Sequence, residues 1–99
     1  MIEKVHTYAL ESDDILENII TGDSYMLNHV IIAPKKMFPK HPTDANVTII
    51  VVRGALSLTL NDQAEAIYTK GHVIEIPKGT PSTLGNALDE KTELFVIKC

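Results

Sequence analysis

Short runs rich in β-branched and aliphatic residues alternate with turn residues through most of the chain. Six such runs follow one another: SYMLNHVIIA, VTIIVV, ALSLTL, AEAIY, HVIEI and TELFVIK. In ALSLTL the leucines occupy every second position, as expected for a strand with one buried and one polar face. Many short strands separated by turns are typical of a β-sandwich or barrel. The pattern therefore predicts an all-β domain.

Two of these runs also indicate what surrounds them. Asn61 and Asp62 follow ALSLTL and tolerate the positive φ angles of a tight turn, so we expect a hairpin between this run and AEAIY. The run at residues 49–52, IIVV, shows no alternation, so both of its faces need cover. We expect the barrel interior on one side and a second subunit on the other, which predicts a homodimer.

The segment before these runs has a different pattern. Ser12 can cap a short helix with an apolar stripe of isoleucine and leucine residues, and Gly22 can end it. Because Ile-Ile-Thr also favours a strand, an extended arm with a single turn is the alternative. We therefore divide the chain, a single domain of residues 1–99, into an N-terminal arm or helix at 1–23 and a β-barrel at 24–98.

Composition narrows the classes of partner. The net charge is −4 and the lysines and arginine are scattered, so no basic stripe can neutralise a row of phosphates and no nucleic-acid partner is expected. The N-terminus lacks an apolar stretch long enough for export or membrane crossing, so no membrane partner is expected. Cys99 is the single cysteine, which leaves no disulfide framework and predicts a cytoplasmic location.

One stretch near the C-terminus, GHVIEIPKGTPSTLGN, resembles the second motif of the cupin family. The residues that reproduce the motif's spacing are Gly71, Pro77, Gly79 and Asn86. Only the motif's histidine is missing, and Ser82 occupies its place. The resemblance to the family covers roughly residues 24 to 98.

The first cupin motif matches in part, in the stretch HPTDANVTIIVVRG. His41 falls on its first histidine and Gly54 on its closing glycine, whereas Thr43 stands at the second histidine and Val47 at the glutamate. The resemblance implies a small jelly-roll β-barrel with a cavity, usually dimeric, and a metal held by three histidines and one glutamate. His41 is the only one of those four ligands that this chain keeps.

A lone imidazole is a weak site for a first-row divalent metal, so we expect neither a metal nor another cofactor. The mouth of the barrel would instead present His41, Thr43 and Ser82 among apolar walls, with Asn46 beside them if a bulge turns it inward. These four are the predicted ligand-binding residues of a metal-independent pocket for a small, partly polar organic molecule. No catalytic residue is assigned.

Two other functions stay open, an enzyme in one of two forms and a structural dimer, and whether the chain is an enzyme stays undecided. A metal-dependent dioxygenase or isomerase would recruit ligands such as His29 or Glu75 around His41. A metal-free isomerase would use His41 as the general base and a tyrosine as the acid. The available tyrosines are Tyr8, Tyr25 and Tyr68. The last alternative is a structural dimer whose barrel is filled by apolar side chains.

Overall fold

The computed structural model describes residues 2–99, and within them it contains nine strands and no helix. The strands are β1 (Ile15–Thr21), β2 (Met26–Ile32), β3 (His41–Pro42), β4 (Val47–Arg53), β5 (Ala55–Leu60), β6 (Ala66–Thr69), β7 (Val73–Ile76), β8 (Pro81–Gly85) and β9 (Thr92–Lys98). One sheet has the order β1-β2-β9-β4-β7 and the other β3-β8-β5-β6, with antiparallel pairing throughout. The all-β prediction is confirmed. No helix that could cross a bilayer occurs in the described part of the chain.

The core lies between the two sheets and follows the alternation of the strands. Its buried members are Val30, Ile32, Val47, Ile49, Val51, Leu56, Leu58, Ile76 and Leu94. Each such side chain stabilises the fold by roughly 1.5–3 kcal/mol relative to an exposed one. In β4 the intervening Ile50 is half-buried and Val52 is 40% exposed, so the outer face of this strand is only partly covered within one chain.

The hairpin predicted between two of the runs joins β5 to β6. Asn61 directly follows β5 and has a φ angle of 51°, the left-handed conformation that asparagine tolerates. The turn is closed by a hydrogen bond from the Gln63 amide to the Leu60 carbonyl at 3.0 Å.

The short helix predicted from Ser12 to Gly22 is wrong, because this segment forms the edge strand β1. The strand pairs with β2 from Ile15 opposite Ile31 to Thr21 opposite Met26, with a bulge that follows Asn18. The backbone groups of β1 pair with those of β2. A helix in this segment would satisfy its own backbone but would leave this edge of β2 unpaired. The extended arm, the other interpretation of the sequence, is what forms at residues 2–14.

This arm crosses the outer face of the five-stranded sheet. The Tyr8 ring lies 4.9 Å from the His29 ring and 5.2 Å from that of Phe95, measured between centroids. The Ala9 amide donates to Glu17 Oε2 at 3.2 Å. The arm is therefore anchored at its middle.

His29 is fully buried beneath Tyr8, between two glutamates. Its Nδ1 lies 3.1 Å from Glu17 Oε2, and its Nε2 lies 2.6 Å from Glu93 Oε2. Both ring nitrogens of His29 are thus engaged by carboxylate groups, one on β1 and one on β9. Arg53 Nε lies 3.7 Å from Glu93 Oε1 and adds a cation to the cluster. The cluster links β1, β2, β9 and β4 on the side of the sheet that faces away from the barrel interior.

Asn86, the closing residue of the second motif, is also fully buried and acts as a clamp. Its Nδ2 donates to the carbonyl oxygens of Ile32, Ala33 and Glu90 at 3.2, 3.3 and 2.6 Å, and its Oδ1 accepts from the Leu88 amide at 3.0 Å. These bonds satisfy backbone groups at the end of β2 and in the turn before β9.

The pairing of His29 with Glu17 predicts a specific acid sensitivity. The hydrogen bond from His29 lowers the pKa of Glu17 below its ordinary value of 4.5. Because the folded pKa is the lower one, this stabilisation is complete above about pH 4.5 and is lost as the pH falls through the folded value. Melting temperatures followed by circular dichroism should therefore fall less steeply below about pH 4.5 for Glu17→Gln than for the wild type.

The matched control is Glu3→Gln, which alters an exposed glutamate of the arm. It should follow the wild-type curve. An unchanged acid slope in Glu17→Gln would contradict the role given to the pair.

Candidate functional site

A cavity of about 270 Å³ opens between the two sheets. One molecule occupies about 30 Å³ in liquid water, so the cavity has the volume of about nine water molecules. The walls are largely aliphatic and include Val30, Ile49, Leu84, Leu94 and Val96. The polar lining residues are Asn28, His41, Thr43, Asp44, Ser82 and Lys98.

The pairing of β3 with β8 brings His41 and Ser82 together. In the antiparallel ladder His41 lies directly opposite Ser82, so the two side chains share one face. Pro39 and Pro42 flank His41 and restrict the backbone of its loop. Both predicted residues line the cavity, His41 at the exposed rim and Ser82 at 5% exposure deeper in the wall.

Hydrogen bonds define what these two side chains offer. His41 Nδ1 lies 3.1 Å from the Pro39 carbonyl oxygen, so Nδ1 carries a proton and donates it there. Nε2 has no hydrogen-bond partner among residues 2–99. The Ser82 hydroxyl makes a long bond of 3.4 Å to the His41 carbonyl oxygen and remains available for a shorter one.

Thr43 also lines the cavity, but its hydroxyl is already engaged. Oγ1 donates to the Pro77 carbonyl oxygen at 2.7 Å and accepts from the Thr80 amide at 3.1 Å. Thr43 therefore joins the end of β3 to the turn that precedes β8. It shapes the mouth of the cavity.

Asn46, the fourth predicted residue, is not brought into the cavity. Its Oδ1 accepts from the Lys78 amide at 3.0 Å, and it borders a separate depression beside Glu75 and Cys99. The neighbouring Val47 points inward, and the bulge of β4 lies further along, after Val51. Without a bulge at Asn46, alternation turns its side chain away from the cavity.

Three polar residues that line the cavity, Asn28, Asp44 and Lys98, were not predicted from the sequence. Asn28 is 8% exposed and faces inward from β2, while Lys98 faces inward from β9. Lys98 Nζ lies 3.3 Å from Asp44 Oδ1 at the mouth, and this hydrogen bond lowers the pKa of Asp44. The alternation of the strands contained the signal, since Lys98 shares a face with the buried Leu94.

The donors around the cavity do not fit a first-row divalent metal. His41 is the single imidazole, the Thr43 hydroxyl is engaged, and Val47 replaces the family's glutamate. The nearest carboxylate, that of Asp44, is paired with the ammonium of Lys98, which would repel a cation. In the part of the chain that the structure describes, no three His, Cys, Asp or Glu side chains are grouped to hold a metal.

The residues on which the enzyme alternatives depend lie elsewhere. His29 is enclosed on the outer side of the five-stranded sheet, and Glu75 is exposed opposite Thr48. Neither can supply a ligand beside His41 without refolding of its strand. None of the three tyrosines, all of them within the described residues, lines the cavity.

Comparison with known proteins agrees with this architecture. Over 99% of its length the chain is 27% identical to an uncharacterised protein of Methanocaldococcus jannaschii, of which it covers 85%. The crystal structure of an RmlC-like cupin family protein with a double-stranded β-helix fold, from the same organism, superposes with a TM-score of 0.94 at 27% identity. That match covers 100% of this chain and 92% of the other.

A cupin-like protein from Thermotoga maritima gives a TM-score of 0.77 at 23% identity, over 84% of this chain and 65% of that one, and so supports the fold alone. The protein-family model of the cupin domain matches residues 28–98, which include both motifs. The chain therefore belongs to the cupin family.

Proposed function

We propose that this protein binds a small organic molecule in the barrel cavity without the help of a metal. The observation that carries the proposal is the cavity itself, about 270 Å³ in volume, with aliphatic walls and a few polar groups that converge at one end. Small-molecule sites in proteins are concave and mostly apolar, with a small number of placed polar groups that orient the ligand.

His41 and Ser82 would orient the bound molecule. With Nδ1 donating to the Pro39 carbonyl, a neutral His41 ring presents Nε2 as an acceptor for an O–H or N–H group. The Ser82 hydroxyl on the opposite strand can donate or accept. Thr43 contributes indirectly, by holding the mouth in shape.

The open cavity counts against a structural dimer with a filled barrel. The enzyme alternatives lose support because their additional ligands and acids lie outside the cavity. Binding of a small molecule is the function that uses the groups the barrel interior actually contains.

We also propose that the chain forms a homodimer through the arm and the outer face of the five-stranded sheet. Ile2, Val5 and Leu10 of the arm are 102%, 71% and 83% exposed, and Val73 on the sheet's edge strand is 63% exposed. Apolar side chains in such number favour a partner surface. A second copy of the chain offers a matching arm and sheet face.

The exposed and unpaired Cys99 supports the cytoplasmic location predicted from the sequence.

A fragment screen tests cavity binding. We expect hits from a library of neutral, cationic and anionic compounds of up to about ten non-hydrogen atoms, because that size fits the cavity. At about 100 times its Kd a ligand stabilises the fold by about 2.7 kcal/mol, which raises the melting temperature by roughly 10–20 °C. His41→Ala should reduce the shift, and Val96→Phe, which fills the cavity, should abolish it.

The matched control is Ile67→Phe, which enlarges an exposed side chain of β6, outside the cavity and outside the proposed dimer surface. It should leave the shifts unchanged. If no compound gives a shift that Val96→Phe removes, the proposed binding function is wrong.

Light scattering coupled to size-exclusion chromatography tests the dimer. The molar mass measured for the wild type should be twice that of one chain, which is 10.9 kDa. Replacing Val5 and Leu10 by serine should shift it toward the monomer, because the exposed apolar surface of the arm is removed. A Lys4→Ser variant, which changes a charged residue of the same arm, is the control. A monomeric wild type would contradict the proposal.

Metal analysis tests independence from a metal. Protein purified without chelators and then incubated with zinc should retain well below one equivalent after desalting, since one imidazole cannot hold the ion. A triple variant, Thr43→His with Val47→Glu and Ser82→His, restores the family's ligands and should retain zinc. Retention of a full equivalent by the wild type and its loss in His41→Ala would contradict the account.

A further inference from the structure

Two polar side chains stand on the otherwise aliphatic wall that the five-stranded sheet contributes to the cavity. Asn28 lies opposite Val96 in the pairing of β2 with β9, and Lys98 follows two residues later on the same face. The Cα atoms of such diagonal neighbours on two paired strands are about 7–8 Å apart, which is within the reach of a lysine side chain. One ligand group can therefore contact both.

Both side chains offer hydrogen-bond donors. Asn28 is more than nine-tenths buried, and its Oδ1 already accepts from Asn18 Nδ2 at 2.9 Å. Among residues 2–99 no hydrogen bond uses Asn28 Nδ2. Because Asn28 lines the cavity, its amide N–H groups are available to donate to a bound molecule. With the Lys98 ammonium beside Asn28, the matching group is an acceptor with negative charge.

Asp44 does not turn this end of the cavity into a cation site. Its side chain is 79% exposed, whereas that of Lys98 is 33% exposed, so the lysine is the more enclosed member of the pair. A cationic ligand would have to approach that ammonium. An anionic ligand can share or replace Asp44 as its partner.

We propose that the cavity binds a small monocarboxylic acid, with its carboxylate on Lys98 and Asn28 and its apolar body against the aliphatic walls. This inference rests on the proposed function and specifies its ligand class. The cavity volume of about nine water molecules limits the acid to roughly the size of benzoate. The rest of the wall from the five-stranded sheet is aliphatic, so a second charge against it would be unpaired and costly to bury.

Benzoate and benzamide form a matched pair of probes, with the same ring and nearly the same volume but a different charge. Isothermal titration should show that benzoate binds about tenfold or more tightly than benzamide, since a charge-assisted bond is replaced by a neutral one. Lys98→Met should remove this preference. Asn28→Asp, which keeps the acceptor for Asn18 and removes the donor, should weaken benzoate. Asp44→Asn, which frees Lys98, should strengthen it.

The matched control is Lys70→Met, which alters an exposed lysine that does not line the cavity. Its preference for benzoate should equal that of the wild type. Equal binding of the two probes, or a preference that survives in Lys98→Met, overturns the acid proposal.

The fragment screen distinguishes failure of the acid proposal from failure of the proposed binding function. If only neutral or cationic fragments give shifts that Val96→Phe removes, cavity binding stands and the acid proposal is wrong. If no fragment gives such a shift, both are wrong.

Discussion

The antiparallel pairing of the two-residue strand β3 with β8 is the contact on which the cavity depends. It places His41 opposite Ser82 and Pro42 opposite Pro81. The Thr43 hydroxyl, bonded to the Pro77 carbonyl, fixes the chain just beyond the pair. Without this contact the proline-containing loop would not close over one end of the barrel, and the polar groups of the mouth would lie apart.

Strand alternation determines which side chains face the cavity. Inward positions of β4 and β9 carry aliphatic side chains along most of their length, so most of the cavity wall is apolar. Polar groups of the strands line the cavity at Asn28 and Lys98 on one sheet and at His41 and Ser82 on the other, and the loop after β3 adds Thr43 and Asp44. The result is a pocket with one chemically distinct end, suited to an amphipathic molecule and poor in metal ligands.

Much of the fold could be predicted because its signals are local. The alternation in ALSLTL and the turn at Asn61 identified the β5–β6 hairpin, and the spacing of the second cupin motif located Ser82. The strand β1 was harder to predict because its stability comes from pairing with β2, while Ser12 and Gly22 locally favour a helix. Propensity alone could not decide between the two.

The candidate site was predicted only where a motif marked it. His41 and Ser82 stand at motif positions, and the structure pairs them. Asn46 was misplaced because one residue of offset in a strand reverses the direction of a side chain. Asn28 and Lys98 match no motif position, and their convergence depends on the register between β2 and β9, which follows from long-range pairing.

The decisive experiment is a high-resolution crystal structure of protein purified without chelators, with anomalous data collected at the relevant metal edges. We predict water or a small organic molecule in the density between His41 and Ser82. A well-occupied transition metal beside His41, with its coordination completed by three or more side chains of this protein, would contradict this prediction.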